Sequence, residues 1–95
     1  MQPCFYILAN QKHGTLYAGC TSDISARITQ HRARPPGSFV GRYSTIRLVH
    51  VEFYERMAEA IQREKRIKKW KRAWKIELIE KDNPDWTDLY LTMPW

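Results

Sequence analysis

The chain has 95 residues, of which 43% are hydrophobic, so it can bury one core but has no room for a second domain of ordinary size. Its formal net charge of +6 favours a polyanionic partner, either nucleic acid or an anionic membrane surface. No apolar run approaches the roughly 20 residues of a membrane-spanning helix, and the N-terminus lacks the pattern of a signal peptide. We therefore expect a cytoplasmic protein with one domain over residues 1–95, a core over about 3–82 and a tail over 83–95.

The first predicted element is a β-hairpin. Residues 4–9 form a continuous apolar run, and residues 15–20 are rich in small and β-favouring residues. Polar residues and a glycine lie between the two runs, which is typical of a hairpin turn. If Tyr6 and Tyr17 serve one site, the hairpin closes with a register such as Asn10 facing Thr15.

The register of this hairpin decides which side chains can meet. Directly opposed residues of two antiparallel strands lie on the same face of the sheet, and the sum of their residue numbers is the same for every opposed pair. Tyr6 and Tyr17 share a face only if that sum is odd, as in the register given above. Cys4 and Cys20 then lie on opposite faces, so we expect two free thiols, as is usual in a reducing compartment.

A helix is predicted after the hairpin. Asp23, or Ser22 just before it, can cap a helix that carries Ile24 and Ile28 at helical spacing. The helix should end before Pro35, because proline interrupts the helical hydrogen bonds.

The remaining residues predict a loop over 37–44, a largely buried third strand over 45–54, and helices over 56–70 and 72–81. The junction around Trp70 could be a kink or a break. The apolar stripe of the first of these helices is Met57, Ala60, Ile61 and Ile67. Together the elements predict an α+β fold, in which a three-stranded antiparallel sheet is flanked by about three helices.

Polar side chains border the apolar stripes of two helices. Arg27 and His31 lie one turn apart on the first helix, and Glu64 lies on the stripe of a later helix. These positions also have explanations that involve no catalytic role. Arg27 could extend its charged end to solvent, His31 could be a surface residue, and Glu64 could form a salt bridge with a nearby arginine. With the two tyrosines, however, they form the set of groups that a one-metal phosphodiesterase needs.

The chain resembles the GIY-YIG nuclease superfamily, which is named after a Gly-Ile-Tyr strand and a Tyr-Ile-Gly strand joined by a short turn. Residues 4–6 read Cys-Phe-Tyr and residues 17–19 read Tyr-Ala-Gly, so both tyrosines, their spacing and the second glycine are kept. Cys4 replaces Gly and Ala18 replaces Ile, at positions where we expect packing rather than reaction. The resemblance covers about residues 3–89 and is closest to small stand-alone bacterial members.

The resemblance implies catalytic roles for Tyr6, Tyr17, Arg27 and His31, and a single divalent cation, Mg²⁺ or Mn²⁺, bound by Glu64. It leaves open which tyrosine is the general base. We expect Tyr6, with Tyr17 as the positioning partner. Both phenols should lie within reach of Arg27, on the side of the sheet towards Glu64.

Two further positions follow from the resemblance. Gly19 belongs to the second family triplet, and many members have an asparagine near the end of the module. Asn83 is the late candidate in this chain, although its place before Pro84 is also explained by helix capping.

A dense basic stretch follows Glu64 and predicts contact with the phosphate backbone of DNA. Its candidate nucleic-acid-binding residues are Lys65, Lys68, Lys69, Lys71 and Arg72. Trp70 and Trp74, which are interleaved with these cations, are expected to be packing anchors, and base stacking is the alternative.

These features predict a metal-dependent DNA endonuclease that acts in repair or recombination, without contact with a membrane. The alternatives are a catalytically weak nucleic-acid-binding module and an adaptor of a DNA-repair complex. Because nothing in the chain resembles a helix that reads base edges, a protein partner could supply specificity. The oligomeric state is left open.

Overall fold

The computed structural model of the protein describes residues 2–32 and 46–93, except for the side chains of residues 31 and 32. Its elements in chain order are β1 (Cys4–Ala9), β2 (Leu16–Thr21), α1 (Ile24–Arg32), β3 (Arg47–Phe53), α2 (Met57–Lys68), α3 (Arg72–Asp82) and a 3₁₀-helix (Leu89–Leu91). The strands form one antiparallel sheet in the order β2-β1-β3, which confirms the predicted α+β fold. The predicted loop over 37–44 lies outside the described residues.

The hairpin has the predicted register. Tyr6 faces Gly19, and Tyr17 faces Leu8, so each pair of opposed residues gives the same odd sum. Both tyrosines therefore lie on one face of the sheet. The two cysteines are free and lie on opposite faces, because Cys20 faces Phe5 across the ladder, one position away from Cys4.

The sheet separates two hydrophobic clusters. All six residues of β1 are buried, because this central strand is covered on both faces, and this explains its continuous apolar run. On one face β1 packs against Ile24 and Ile28 of α1. On the other face it packs against Ile67 of α2, Ile79 of α3 and Trp86.

The start of α1 agrees with the predicted cap. The Oδ1 atom of Asp23 accepts a hydrogen bond from the backbone N–H of Ala26 over 3.1 Å, as an N-cap residue does. Thr21, the last residue of β2, accepts a hydrogen bond through Oγ1 from the N–H of Asp23 over 3.1 Å. This short connection fixes where α1 leaves the edge strand.

The apolar stripes of α2 and α3 are only partly as predicted. Ala60 and Ile67 are buried, but Ile61 is 36% exposed, so its placement in the buried stripe was wrong. Trp74 is 51% exposed and packs edge-on against Trp70, with 6.2 Å between the ring centroids, so it is a contact between the helices and not a core residue. The helices break at residues 69–71, and the break turns α3 so that Ile79 faces the sheet.

The tail adds to the core, which the predicted boundary at residue 82 did not include. Trp86 is fully buried against the α2 and α3 side of the sheet. Asp88 accepts a hydrogen bond through Oδ1 from the backbone N–H of Leu48 over 3.0 Å, so the tail is attached to β3. Among the helices in the described ranges, none has the length and hydrophobicity needed to cross a membrane.

Candidate active site

Arg27 joins the two tyrosines on the α1 face of the sheet. Its Nε donates a hydrogen bond to the Oη atom of Tyr6 over 3.4 Å, and its guanidinium is also hydrogen-bonded to Tyr17. The hydrogen bond to Tyr6 is the main cause that raises the pKa of Arg27 above its ordinary value. The structure thus brings together three of the predicted catalytic residues.

The two phenols differ in their access to solvent. Tyr6 is fully buried, whereas Tyr17 is partly exposed. Burial raises the pKa of Tyr6, and the hydrogen bond from Arg27 opposes this rise without cancelling it. Because Tyr6 is buried and Tyr17 is not, the two phenols differ in their direct access to water, and the choice of Tyr6 as the general base stays a prediction.

Gly19 makes room for the buried ring of Tyr6. A Cβ atom at this position would lie 2.7 Å from the Oη atom and 2.9 Å from the Cζ atom of Tyr6. Real Cβ atoms do not come so close to other heavy atoms, so the tyrosine ring occupies the space that a side chain would need. The predicted site residue Gly19 therefore has a packing role.

Glu64 reaches the sheet from the other face, so its expected placement on the side of the phenols was wrong. It lies on α2, and its Oε1 atom accepts a hydrogen bond from the Sγ of Cys20 over 3.8 Å. Lys68 lies one turn later, with its Nζ 3.6 Å from the Oε2 atom of Glu64. Because β2 is an edge strand, groups from both faces can meet at its outer side.

The electrostatics of Cys20 connect the two halves of the site. Burial is the main cause that raises the pKa of its thiol, and the Glu64 carboxylate adds to the rise. Lys68 and Arg27 both lower it. The charges of Arg27 and Glu64 thus both act on one side chain of the edge strand.

Glu64 is the one carboxylate of this arrangement that could hold a divalent cation. Both carboxylate oxygens of Glu64 contact hydrogen-bond donors or cations, and the side chain is 19% exposed. No cluster of three or more His, Cys, Asp and Glu side chains occurs among the side chains that the structure describes. An ion at Glu64 would therefore complete its coordination mainly with water and substrate oxygens, as Mg²⁺ commonly does.

Two predicted site residues stand apart from this arrangement. His31 lies on α1 one turn after Arg27, but its side chain is outside the described part of the structure, so its role remains a prediction. Asn83 is buried, and its Nδ2 donates to the backbone oxygens of Val49 over 3.1 Å and Thr87 over 2.9 Å. These bonds give Asn83 a structural role in holding the tail against β3.

The predicted nucleic-acid-binding cations are all exposed, but several have partners within the protein. Arg72 donates to the backbone oxygens of His13 over 2.8 Å and Gly14, and so fixes the hairpin turn. Lys71 lies over the ring of Trp74, with its Nζ 5.7 Å from the centroid. Lys65 and Lys69 have no partner among the contacts found for the described residues and lie on exposed positions of α2 and its C-terminal turn.

A polar network between β3 and α2 was not anticipated. The Glu52 carboxylate accepts hydrogen bonds from Arg63 Nε over 2.8 Å and Tyr54 Oη over 2.6 Å, and it lies 2.7 Å from His50 Nε2. Burial alone would raise the pKa of Glu52, but these hydrogen bonds outweigh it and lower the pKa to about 2. The network fixes α2 beside β3, immediately before Glu64. Its sequence signal was the alternation of polar residues at positions 50, 52 and 54.

Comparisons with known proteins identify the family of the chain. A family model described as the GIY-YIG catalytic domain matches residues 2–77. The UPF0213 proteins of Staphylococcus aureus strains Mu3, Mu50 and N315 are each 31% identical to the chain over 80 residues. The alignment covers 84% of this chain and 98% of each relative. No solved structure gives a significant match.

Proposed function

The chain belongs to the GIY-YIG catalytic domain family, and from this premise we propose that it is an endonuclease that hydrolyses phosphodiester bonds in DNA. The observation that carries the proposal is the hydrogen bonding of Arg27 to both Tyr6 and Tyr17. Glu64 on the other side of the same edge strand supports it.

Arg27 stabilises the charge that develops on the phosphate. Hydrolysis places additional negative charge on the phosphoryl oxygens, and a guanidinium presents several N–H donors in a fixed plane. Three neighbours hold that plane before substrate arrives. They are the phenols of Tyr6 and Tyr17 and the side chain of Gln30, whose Oε1 accepts from Arg27 Nη1 over 3.3 Å. Such preorganisation lowers the barrier because the donors need not reorient during the reaction.

The two tyrosines have different roles in this proposal. Tyr17 orients and deprotonates the attacking water, because it is the phenol with access to solvent. Tyr6 is a positioning residue that holds Arg27 from within the core.

Glu64 would hold the divalent cation, for which Mg²⁺ and Mn²⁺ are the candidates. When bound, such an ion supplies a counter-charge for the phosphate and activation of water. Lys68 neutralises Glu64 in the described structure. Its ammonium can contact the DNA backbone instead when a cation occupies the carboxylate.

Lys65, Lys68 and Lys69 form an exposed basic surface that begins beside Glu64. Their point charges favour phosphate contacts that do not depend on base sequence. We therefore propose that the shape of the DNA or a protein partner selects the substrate. Branched or damaged DNA in repair or recombination is the substrate class that fits this mode of binding.

A nicking assay tests the proposed function. Wild-type protein is incubated with supercoiled plasmid and with branched oligonucleotides in Mg²⁺, in Mn²⁺ and in EDTA. We expect nicks only with a metal, no cutting by Glu64→Gln, and wild-type cutting by the control Glu77→Gln, which changes an exposed glutamate on α3. DNA binding without nicks under all metal conditions would contradict the proposal and favour the binding-module alternative.

A further inference from the structure

An exposed tryptophan lies beside an apolar groove on α3. Trp74 is 51% exposed and lines this groove, whose volume of about 820 Å³ is within the range of ligand sites. Most of the other lining residues are apolar, and they include Trp70, Ala73, Ile76 and Leu78. The groove is therefore large enough for a flat aromatic group, and Trp74 offers a ring on which such a group can stack.

One face of the Trp74 ring is covered by a surface cation rather than by the core. The Nζ atom of Lys71 lies over the ring, 5.7 Å from its centroid, and Lys71 is itself exposed. A cation–π contact at an exposed site is a weak interaction. A flat group from solvent can therefore replace the ammonium, which stays close enough to contact a neighbouring anion.

The charges around the groove favour a nucleotide as the occupant. Residues 65–76 contain seven Lys and Arg residues and no Asp or Glu, so a positive charge continues from the basic surface to Trp74. The charged residues that line the groove itself are Glu77, Glu80 and Lys81. This lining carries a net negative charge and would repel a phosphate, whereas a base is neutral. The pattern thus suits a base in the groove with its phosphates on the cationic side.

We propose that Trp74 is a stacking platform for an unpaired base of the DNA, and that Lys71 contacts a phosphate next to that base. The inference rests on the proposed function in taking DNA as the substrate, and it narrows the substrate class to DNA in which unpaired bases adjoin a duplex. Bases inside a duplex are stacked on one another, whereas an overhang, a flap or a branch point offers bases with a free face. Every base has such a π-face, so stacking agrees with binding that does not depend on sequence.

The groove is separate from the candidate cation site. Glu64 lies within α2, whereas Trp74 lies in the first turn of α3, beyond the break between the two helices. The four residues from Glu64 to the end of α2 alone advance about 6 Å along the helix axis. The stacked base would therefore belong to a different part of the strand from the phosphate at Glu64. Trp74 is a binding residue and takes no part in the reaction.

DNA binding in EDTA tests the proposal without cleavage. Two substrates share one duplex and carry a single-stranded overhang of the same length, which is normal in one and abasic in the other. The abasic overhang keeps the phosphates and lacks the bases. We expect the wild type to bind the normal overhang at least about fivefold more tightly, because stacking of one base contributes at least this factor.

Substitutions assign this preference to the groove. Trp74→Ala should bind the two overhangs equally, and Trp74→Phe should keep part of the preference because it retains an aromatic face. The matched control Ile61→Ala shortens an exposed apolar residue of α2 outside the groove and should behave as the wild type. Lys71→Gln should weaken the binding of both overhangs by the same factor, because it removes a phosphate contact.

Two results would overturn the stacking platform. One is equal binding of the two overhangs by the wild type, which is also the result expected if the groove accepts a peptide of a protein partner. The other is a folded Trp74→Ala variant that keeps the wild-type preference. Unchanged affinity of Lys71→Gln for both overhangs would overturn the phosphate contact.

The outcomes separate this inference from the proposed function. Metal-dependent nicking by a wild type that does not distinguish the overhangs leaves the nuclease in place and removes Trp74 as a stacking platform. A preference for the normal overhang that depends on Trp74, in a protein that does not nick DNA, leaves the groove in place and removes the nuclease.

Discussion

Gly19 lies directly opposite Tyr6 in the hairpin, and the ring of Tyr6 covers the space where a side chain of residue 19 would be. This close packing buries the phenol completely and leaves its hydroxyl beside Arg27. The buried position of Tyr6 in the first family triplet therefore requires a glycine at position 19 in the second triplet. The relationship also places the guanidinium, since Arg27 is held by the phenol that the glycine accommodates.

Gly19→Ala should consequently lower both stability and activity. The added Cβ would displace the ring, at a cost of about 1–3 kcal/mol in the free energy of unfolding, as is usual for overpacking. Cleavage should fall at least tenfold because the displaced phenol no longer holds Arg27. Thermal denaturation and a nicking assay measure the two effects. In Gly19→Ala/Tyr6→Leu we expect stability to recover and activity to stay low, and recovery of both would contradict the positioning role.

The ranking of the two phenols is a separate prediction. Tyr17→Phe should remove nearly all cleavage, because this residue has the solvent access that a base for water needs. Tyr6→Phe should retain part of the activity, because it removes one hydrogen bond to Arg27 and keeps the packing of the ring. Single-turnover rates at saturating protein compare the variants. Greater loss in Tyr6→Phe would return the role of base to Tyr6.

Acid stability should depend on Glu52. Its folded-state pKa of about 2 lies below the ordinary value of 4.5, so its ionised form stabilises the fold above pH 4.5, and this contribution is lost as the pH falls towards 2. Near neutral pH, Glu52→Gln should therefore unfold more easily by about 2–3 kcal/mol. The difference from the wild type should shrink between pH 4.5 and pH 2 in denaturant titrations. A constant difference over this range would show that the carboxylate charge is not the cause.

Binding to DNA should be sensitive to salt and indifferent to base sequence. Lys65→Glu/Lys69→Glu should weaken affinity equally for unrelated duplexes and reduce the slope of log affinity against log salt by about one unit per lost phosphate contact. The control Lys81→Glu, which reverses an exposed charge at the end of α3, should leave the slope nearly unchanged. If the salt dependence of DNA affinity had the same slope in all three proteins, the DNA would bind to another surface of the protein.

Local patterns predicted most of the fold. The ends of β1, the cap at Asp23 and the hairpin register follow from hydrophobic runs, helix-capping chemistry and the parity of opposed residues. These signals act between residues that are close in sequence. The shared face of Tyr6 and Tyr17 was expected on the condition that both serve one site, and the observed register confirms it.

The features that the sequence did not predict depend on how distant elements pack. Helical spacing places Glu64 on a stripe of α2, but it does not determine which face of the sheet α2 covers. The break before α3 likewise decides the exposure of Trp74, and no local pattern sets its angle. The Glu52–Arg63 pair joins residues from two elements whose approach is a tertiary property.

The role of Arg27 is the central claim, and its removal is the most direct test. Single-turnover cleavage of one DNA substrate is compared for the wild type, Arg27→Ala and the control Arg66→Ala, which removes an exposed arginine of α2. We predict a loss of at least about 100-fold in rate for Arg27→Ala, as is typical when a stabiliser of transition-state charge is removed. DNA affinity and the circular dichroism spectrum should stay close to those of the wild type, and Arg66→Ala should cut normally. Cleavage by a folded Arg27→Ala variant at the wild-type rate would contradict the account.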